Sequence, residues 1–267
     1  MLILRPDLKK MFSGPEPEVF DKIMGLKGEA YRDLAGRRTI RVLLDGRGYF
    51  AKLHFGVGWG EILKNILYLR LPVVGARTEW QAIQAFEELD VATMSIAGFG
   101  ERGLSPAGRQ SFLLTDELVG TISLEDYCRL WPENPPSPRL KRAIIEKVAL
   151  MTRRLHENGI NHRDLYICHF LLQEASVKPD VNPEEISLFI IDLHRVQIRA
   201  RTPRRWILKD VAGLYFSSMD IGLTRRDRFR FMRIYRNRPL REQFSREAGF
   251  WNAVERKAVK LYRKPTD

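Results

Sequence analysis

The sequence predicts an α+β fold in which a small antiparallel-sheet lobe precedes a mainly helical one. Three observations carry that reading. A β-rich run over 39–44 meets the turn signal Asp45-Gly46 and returns over 48–54, which is the pattern of a hairpin. Residues 61–70 and 78–89 then place apolar side chains on one helical stripe, and strand patterns follow at 93–99 and 111–115. Residues 139–158 form a long helical pattern that stops at Gly159, a residue suited to a helix C-cap. The order strands, helices, strands closes a first lobe at 1–117 and leaves 118–267 to the second.

The remaining elements fill in around these. The stretch up to Lys27 mixes charge with Pro15 and Pro17 and reads as an irregular lead-in with one helical turn. An earlier strand over 29–33, joined through 34–37, sets a short glycine-containing loop at the edge of the sheet. A proline-rich loop spans 132–138, a β-like insertion spans 186–192, and helical segments run from Lys209 to the C-terminus.

With 44% hydrophobic residues in 267, the chain buries a real core in one large domain or two compact lobes. Its 45 Lys+Arg against 33 Asp+Glu give a formal charge of +12, which suits phosphate-rich or otherwise anionic partners. Two cysteines, Cys128 and Cys168, are too few for a disulfide framework and fit a reducing compartment. Charges at Arg5, Asp7, Lys9 and Lys10 interrupt the apolar start, so no secretory signal is expected, and no apolar run is long enough to span a membrane. Between Arg201 and Arg238 eleven Lys/Arg accompany Phe229, Phe231 and Tyr235; a helix with its aromatics inward explains this spacing, and no nucleic-acid partner is expected. The cysteines and histidines lack zinc-ligand spacing.

The strongest chemical signal is His162-Arg163-Asp164-Leu165-Tyr166-Ile167-Cys168-His169, which matches the catalytic-loop pattern H-R-D-x-x-x-x-N except at its last position. Phosphoryl transfer needs one carboxylate beside the acceptor hydroxyl, and Asp164 is the candidate; a His-Arg-Asp tripeptide capping a loop is the plain alternative. Downstream, the apolar run 188–191 ends at Asp192, placed to hold a divalent cation between phosphates, although an Asp at a strand end is also an ordinary turn residue. Lys52 stands alone in the apolar strand Tyr49-Phe50-Ala51-Lys52-Leu53-His54 and is the candidate for the nucleotide phosphates, with Glu79 on the following helix as its partner. A lysine on the wet face of a strand is the other reading of that pattern. Asp210 either caps a helix or braces the catalytic loop, and the sequence leaves both open.

These residues resemble the protein-kinase superfold and, more narrowly, the bacterial lipopolysaccharide core heptose(I) kinases. The narrower resemblance rests on 49–54, Pro72-Val73-Val74-Gly75-Ala76-Arg77-Thr78-Glu79-Trp80, Ser123-Leu124-Glu125-Asp126-Tyr127-Cys128, 159–172 and 214–224, which together span most of the chain. It implies a two-lobed protein-kinase-like fold and ATP-dependent phosphorylation of the first heptose of the lipopolysaccharide inner core, with Asp164 as base. It also implies nucleotide contacts at Lys52, Glu79 and Asp116, and Mg²⁺ at Asp192 and His169. The family works at the cytoplasmic face of the inner membrane on a glycolipid acceptor, beside an anionic surface, and the resemblance implies acyl carrier protein as a partner. Two features depart from the general kinase pattern: His169 replaces the metal-binding Asn, and the glycine-rich loop shrinks to Leu34-Ala35-Gly36. A protein kinase using the same residues, and a non-catalytic basic scaffold for anionic glycolipid, are the competing readings.

Overall fold

A computed structural model of the chain describes residues 1–34, 36–56, 58–60 and 75–263. The helix expected over 61–70, the Pro72-Val73-Val74 string and Ala35 lie outside the described residues. The chain divides into two compact units, Met1–Gln84 with Met94–Leu118, and Ala85–Thr93 with Val119–Asp267.

In the first unit six strands form one antiparallel sheet: β1 (Leu2–Leu4), β2 (Glu29–Leu34), β3 (Arg37–Leu44), β4 (Arg47–His54), β5 (Ile96–Arg102) and β6 (Gln110–Asp116), in the order β1-β5-β6-β4-β3-β2. The β3–β4 hairpin turns at Asp45 and Gly46, both at positive φ, as a type I′ turn demands. The irregular lead-in expected before Lys27 is instead strand β1 and two helices, α1 (Pro6–Met11) and α2 (Glu16–Met24). Pro6 and Pro17 sit in the first turns, where a missing N–H costs nothing, so these prolines start helices rather than prevent them. Leu8, Val19, Phe20 and Ile23 pack with Ile40, Val42, Tyr49, Ala51, Leu53, Phe112 and Leu114 on one face of the sheet. Alternation along β4 then puts Phe50 and Lys52 on the opposite face.

The strand expected at 93–99 begins three residues later and runs to Arg102. Ala92 and Thr93 are engaged elsewhere: the Ala92 carbonyl accepts from the Ile190 amide at 3.0 Å, and the Thr93 hydroxyl donates to the Ile190 carbonyl at 2.6 Å. This explains why 85–93 groups with the second unit.

The second unit holds α4 (Leu124–Cys128), α5 (Pro138–Glu157), α6 (Arg204–Ser217), α7 (Arg225–Arg236), α8 (Leu240–Arg246) and α9 (Ala248–Tyr262), with α3 (Arg77–Glu88) crossing the division between units. Ser137 caps α5 by accepting from the Leu140 amide, and Thr224 and Asp227 form a capping box on α7. Ala149, Val211, Ala212, Tyr235, Phe250, Val254 and Ala258 form the helical core. On α7 Tyr235 is buried and Phe229 and Phe231 are half-buried, while Arg225, Arg226 and Arg233 face solvent, which follows the inward turn expected of its aromatics most fully at Tyr235. Five short strands complete the unit: β7 (Thr121–Ser123), β9 (Phe170–Gln173) and β10 (Leu188–Ile190) in one small sheet, β8 (Ile160–Asn161) and β11 (Gln197–Ile198) in another. Among the described residues no helix is long and apolar enough to cross a membrane.

Gly159 joins α5 to β8 with φ +79°, and a Cβ there would lie 1.7 Å from the Arg199 carbonyl oxygen. Gly159→Ala is therefore expected to destabilise the protein by more than about 2 kcal/mol, left-handed strain plus a backbone clash, read as a lowered denaturation midpoint; an unchanged midpoint would show that the loop re-routes freely.

Candidate active site

The first unit contributes a buried ion pair. Lys52 Nζ lies 2.5 Å from Glu79 Oε1, with the two side chains 17% and 2% exposed. Three contacts aim the start of α3 so that Glu79 reaches the sheet: the Ala76 amide donates to Ser111 Oγ at 2.9 Å, Arg77 pairs with Glu101 at 2.9 Å, and Trp80 stacks on Phe99. A buried pair of this kind is weak as a stability device, because desolvation consumes most of the Coulombic gain. The alternative of a solvated lysine on a wet strand face is thereby excluded. Asp116 ends β6, and its carboxylate takes both Arg5 Nη1 at 2.6 Å and Nη2 at 2.9 Å. Hydrogen bonds from Arg5 also hold the neighbouring Asp7 well below the usual carboxylate range. Asp116, at the end of the central strand β6, is thus tied to Arg5, which follows β1, apart from the Lys52–Glu79 pair in its bonding.

In the second unit, β8 and β9 flank the loop that carries His162, Arg163 and Asp164. Asp210, fully buried in the middle of α6, accepts from the His162 amide at 2.7 Å and the Arg163 amide at 2.8 Å. Asp210 therefore braces the loop and does not cap a helix. Its Oδ2 also lies 3.3 Å from His156 Nε2, whose Nδ1 meets the Tyr235 hydroxyl at 2.7 Å. Since a carboxylate only accepts, Nε2 carries the proton and Tyr235 donates to Nδ1. Burial pushes the Tyr235 phenol far up, which keeps it a donor. Arg163 is held at φ +75°, a costly conformation for a non-glycine residue that the two Asp210 bonds sustain. Gly213 allows α6 to approach, since a Cβ there would lie 3.0 Å from the Leu165 carbonyl.

Asp164 follows that strained turn. Arg195 Nη1 reaches its two oxygens at 3.1 and 2.8 Å, and Lys209 Nζ stands 3.5 Å from Oδ1. A carboxylate offers about four acceptor positions, so Oδ2 retains room for an incoming hydroxyl. The β8–β11 pairing and the Arg199 amide bond to the Gly159 carbonyl bring Arg195 to this position.

Pairing of Phe170 with Ile190 in β9–β10, extended by the Ile191 amide to the His169 carbonyl, sets His169 beside Asp192. His169 Nδ1 is 2.7 Å from the Asp164 carbonyl, which only accepts, so Nδ1 bears a proton, and Nε2 lies 3.6 Å from Asp192 Oδ2. A carboxylate oxygen suits a hard divalent cation that keeps several waters, and among the described residues no third His, Cys, Asp or Glu joins Asp192 and His169 as a ligand. His194 Nδ1 donates to the other oxygen, Oδ1, at 2.5 Å. Asp192 and His169 thus fit a divalent cation, with one nitrogen where kinases usually supply an amide oxygen. His162, wholly buried, is shifted down by desolvation and donates from Nε2 to the Ile191 carbonyl at 3.0 Å.

The candidates fall into two groups, Lys52 with Glu79 in one unit, and Asp164, His169 and Asp192 in the other. Arg195, Lys209 and His194 emerge from the structure alone. Lys209 had a signal, as the cation preceding the bracing Asp210; Arg195 and His194 follow Asp192 closely, but their pairings depend on long-range folding. Burial lifts the Cys168 thiol up to about 11, so it is no thiolate nucleophile.

Removing Asp210 strands two buried amides. Asp210→Ala is expected to cost about 3 kcal/mol or more in stability and to expose the 162–164 amides to hydrogen exchange, whereas unchanged protection of those amides would mean that the brace is redundant.

Comparison with known proteins places this geometry. The pattern of the lipopolysaccharide kinase (Kdo/WaaP) family matches residues 21–235. The lipopolysaccharide core heptose(I) kinase WaaP of Pseudomonas aeruginosa is 53% identical over 263 residues, covering 98% of this chain and 96% of that protein. WaaP of Escherichia coli strain K12 is 48% identical over 261 residues, covering 98% and 97%. The solved structure described as WaaP in complex with acyl carrier protein has a TM-score of 0.83 and 48% identity, covering 98% of this chain and all of that one. With a family pattern over most of its length and near-complete relatives at this identity, the chain is a kinase and belongs to the lipopolysaccharide kinase (Kdo/WaaP) family.

Proposed function

We propose that this kinase transfers the γ-phosphoryl group of ATP to a hydroxyl of the first heptose of the lipopolysaccharide inner core, with Asp164 as the base. The observation that carries this reading is the braced Asp164 itself, a carboxylate with one open acceptor position in a chain related along its whole length to heptose(I) kinases. Phosphoryl transfer asks a protein for positioning and charge stabilisation more than for covalent chemistry. In the first unit Lys52, oriented by Glu79, meets the nucleotide phosphates. Asp192 and His169 are the residues that would hold Mg²⁺, which would supply neutralisation of phosphate charge. Asp164 accepts the hydroxyl proton as the acceptor oxygen approaches phosphorus, and Arg195 and Lys209 keep the carboxylate in place. For Asp116 the remaining assignment is to the edge of the nucleotide site, through its fixed position at the end of β6.

The charge of +12 supports action beside an anionic membrane surface on the cytoplasmic side. Acyl carrier protein is proposed as a partner of this chain too. The second unit contains a cavity of about 440 Å³ lined by apolar groups including Ile144, Val148, Val211, Leu214, Phe231 and Met232, which suits a saturated chain. Acylated carrier protein is expected to bind at least tenfold more tightly than the unacylated form in calorimetry, and equal affinities would remove the cavity from the interaction.

Asp164→Asn should leave the fold and ATP binding intact and lower transfer of labelled γ-phosphate to dephosphorylated inner-core lipopolysaccharide by roughly 10²-fold or more. Transfer at wild-type rate would take the base role away from Asp164, and label appearing on a generic protein acceptor instead would favour the protein-kinase reading.

A further inference from the structure

The charge around Asp164 does not balance. Arg195 and Lys209 both bond this single carboxylate, and Arg163 precedes it in the chain. The other nearby acid, Asp210, is fully buried and already occupied by two amides and His156. Arg163 forms no ion pair among the described residues; its guanidinium lies 5.0 Å from the centroid of Trp206, and its Nε–H is buried without an acceptor there. Trp206 gathers two further cations, Arg205 at 5.4 Å and Lys209 at 5.9 Å, and its own indole N–H is buried and unpaired among the described residues. Burial first, then the nearby Arg195, push the Arg163 guanidinium below its ordinary value. Lys209 is lowered chiefly by burial, with Asp164 opposing and Arg195 and Arg163 adding repulsion. Crowded cations with unmet donors destabilise a fold unless an anion completes them.

We propose that Arg163 and Lys209, set against Trp206, form a subsite for an anionic group of the acceptor, a carboxylate or phosphate carried near the sugar hydroxyl that is phosphorylated. The inference rests on the kinase reading above and deepens it. It assigns the anion to the acceptor because the cations surround the group proposed to address the acceptor hydroxyl, while Lys52, and a cation that Asp192 and His169 would hold, are the partners proposed above for the nucleotide phosphates. Arg195, fixed to both oxygens of Asp164 through one nitrogen, keeps its other donors for the same anion. The subsite thus makes acidity of the acceptor part of substrate recognition rather than a matter of general attraction to a basic surface.

The test compares inner-core glycolipid with the same glycolipid whose carboxylates are reduced to alcohols and whose phosphates are removed, using the full-length protein. The wild type is expected to lose about 10- to 100-fold in kcat/KM on the neutral acceptor, mainly through the acceptor KM, with the KM for ATP unchanged. Arg163→Gln should lose a similar factor on the acidic acceptor beyond whatever it loses on the neutral one. Should that variant not fold, the wild-type pair of acceptors decides alone, together with competition by a free acidic sugar, which should compete with the acceptor and not with ATP. Equal efficiency on both acceptors overturns the subsite while leaving the kinase reading intact. An Arg163→Gln penalty of the same size on both acceptors, or a raised KM for ATP, also overturns it and assigns the cations to the transferring phosphoryl group. Transfer by the folded wild type to neither glycan overturns the acceptor reading and the subsite together.

Discussion

The catalytic loop depends on one buried carboxylate. Asp210 takes the amides of His162 and Arg163 where it is itself fully buried, so those bonds are strong and their loss is costly. It stands on α6, whose next residues Val211 and Ala212 are part of the helical core, and it is tied through His156 to α5 and through Tyr235 to α7. Three helices therefore fix the left-handed turn at Arg163, and the turn fixes the direction of Asp164. The loop's 162–166 stretch has no regular secondary structure of its own to do this, and only a short 3-10 turn at Ile167–His169 follows. Its precision comes from the core beneath it, which is how a loop carries chemistry on a rigid scaffold.

Much of the framework was legible because its signals are local. Asp45-Gly46 encodes a turn that few other residues tolerate, Gly159 marks the end of a helix at a position where a side chain does not fit, and the apolar run 188–191 alternates as a strand. Errors arose where a local signal has two meanings. Pro15 and Pro17 read as breakers, yet proline opens a helix as readily as it ends one, and the apolar stripe of Val19, Phe20 and Ile23 gains its force only from the sheet it covers. The pattern at 93–99 starts ahead of β5 and stops short of its end because Gly98 and Gly100 within that strand carry no β propensity. They are there for close approach, with a Cβ at Gly100 falling 2.3 Å from the Phe112 ring.

The site divides in the same way. Lys52 and Asp192 stand out as charges within or at the end of an apolar run, Asp164 through the His-Arg-Asp pattern, and Glu79 only as a partner for Lys52 on the following helix. Arg195 does not stand out, since a basic residue in a chain with 45 Lys+Arg carries no information until folding brings it to Asp164, and Lys209 is marked only by its place before Asp210. Asp210 is the intermediate case: sequence offers both a cap and a brace, and only its position inside α6 separates them.

Every acid in the second unit's site has fixed donors: Asp210 the loop amides, Asp164 the side chains of Arg195 and Lys209, Asp192 the ring of His194. Such pairing would be a poor bargain for stability alone, because each charge loses hydration on entering the interior. Its advantage lies in the reaction. Groups already oriented need not reorganise when charge moves from the acceptor oxygen toward phosphate, whereas water would have to. The replacement of the usual asparagine by His169 follows this logic. Its Nδ1 proton is committed to the Asp164 carbonyl, so the ring is locked with Nε2 toward Asp192, and one side chain links the backbone of Asp164 to the carboxylate of Asp192.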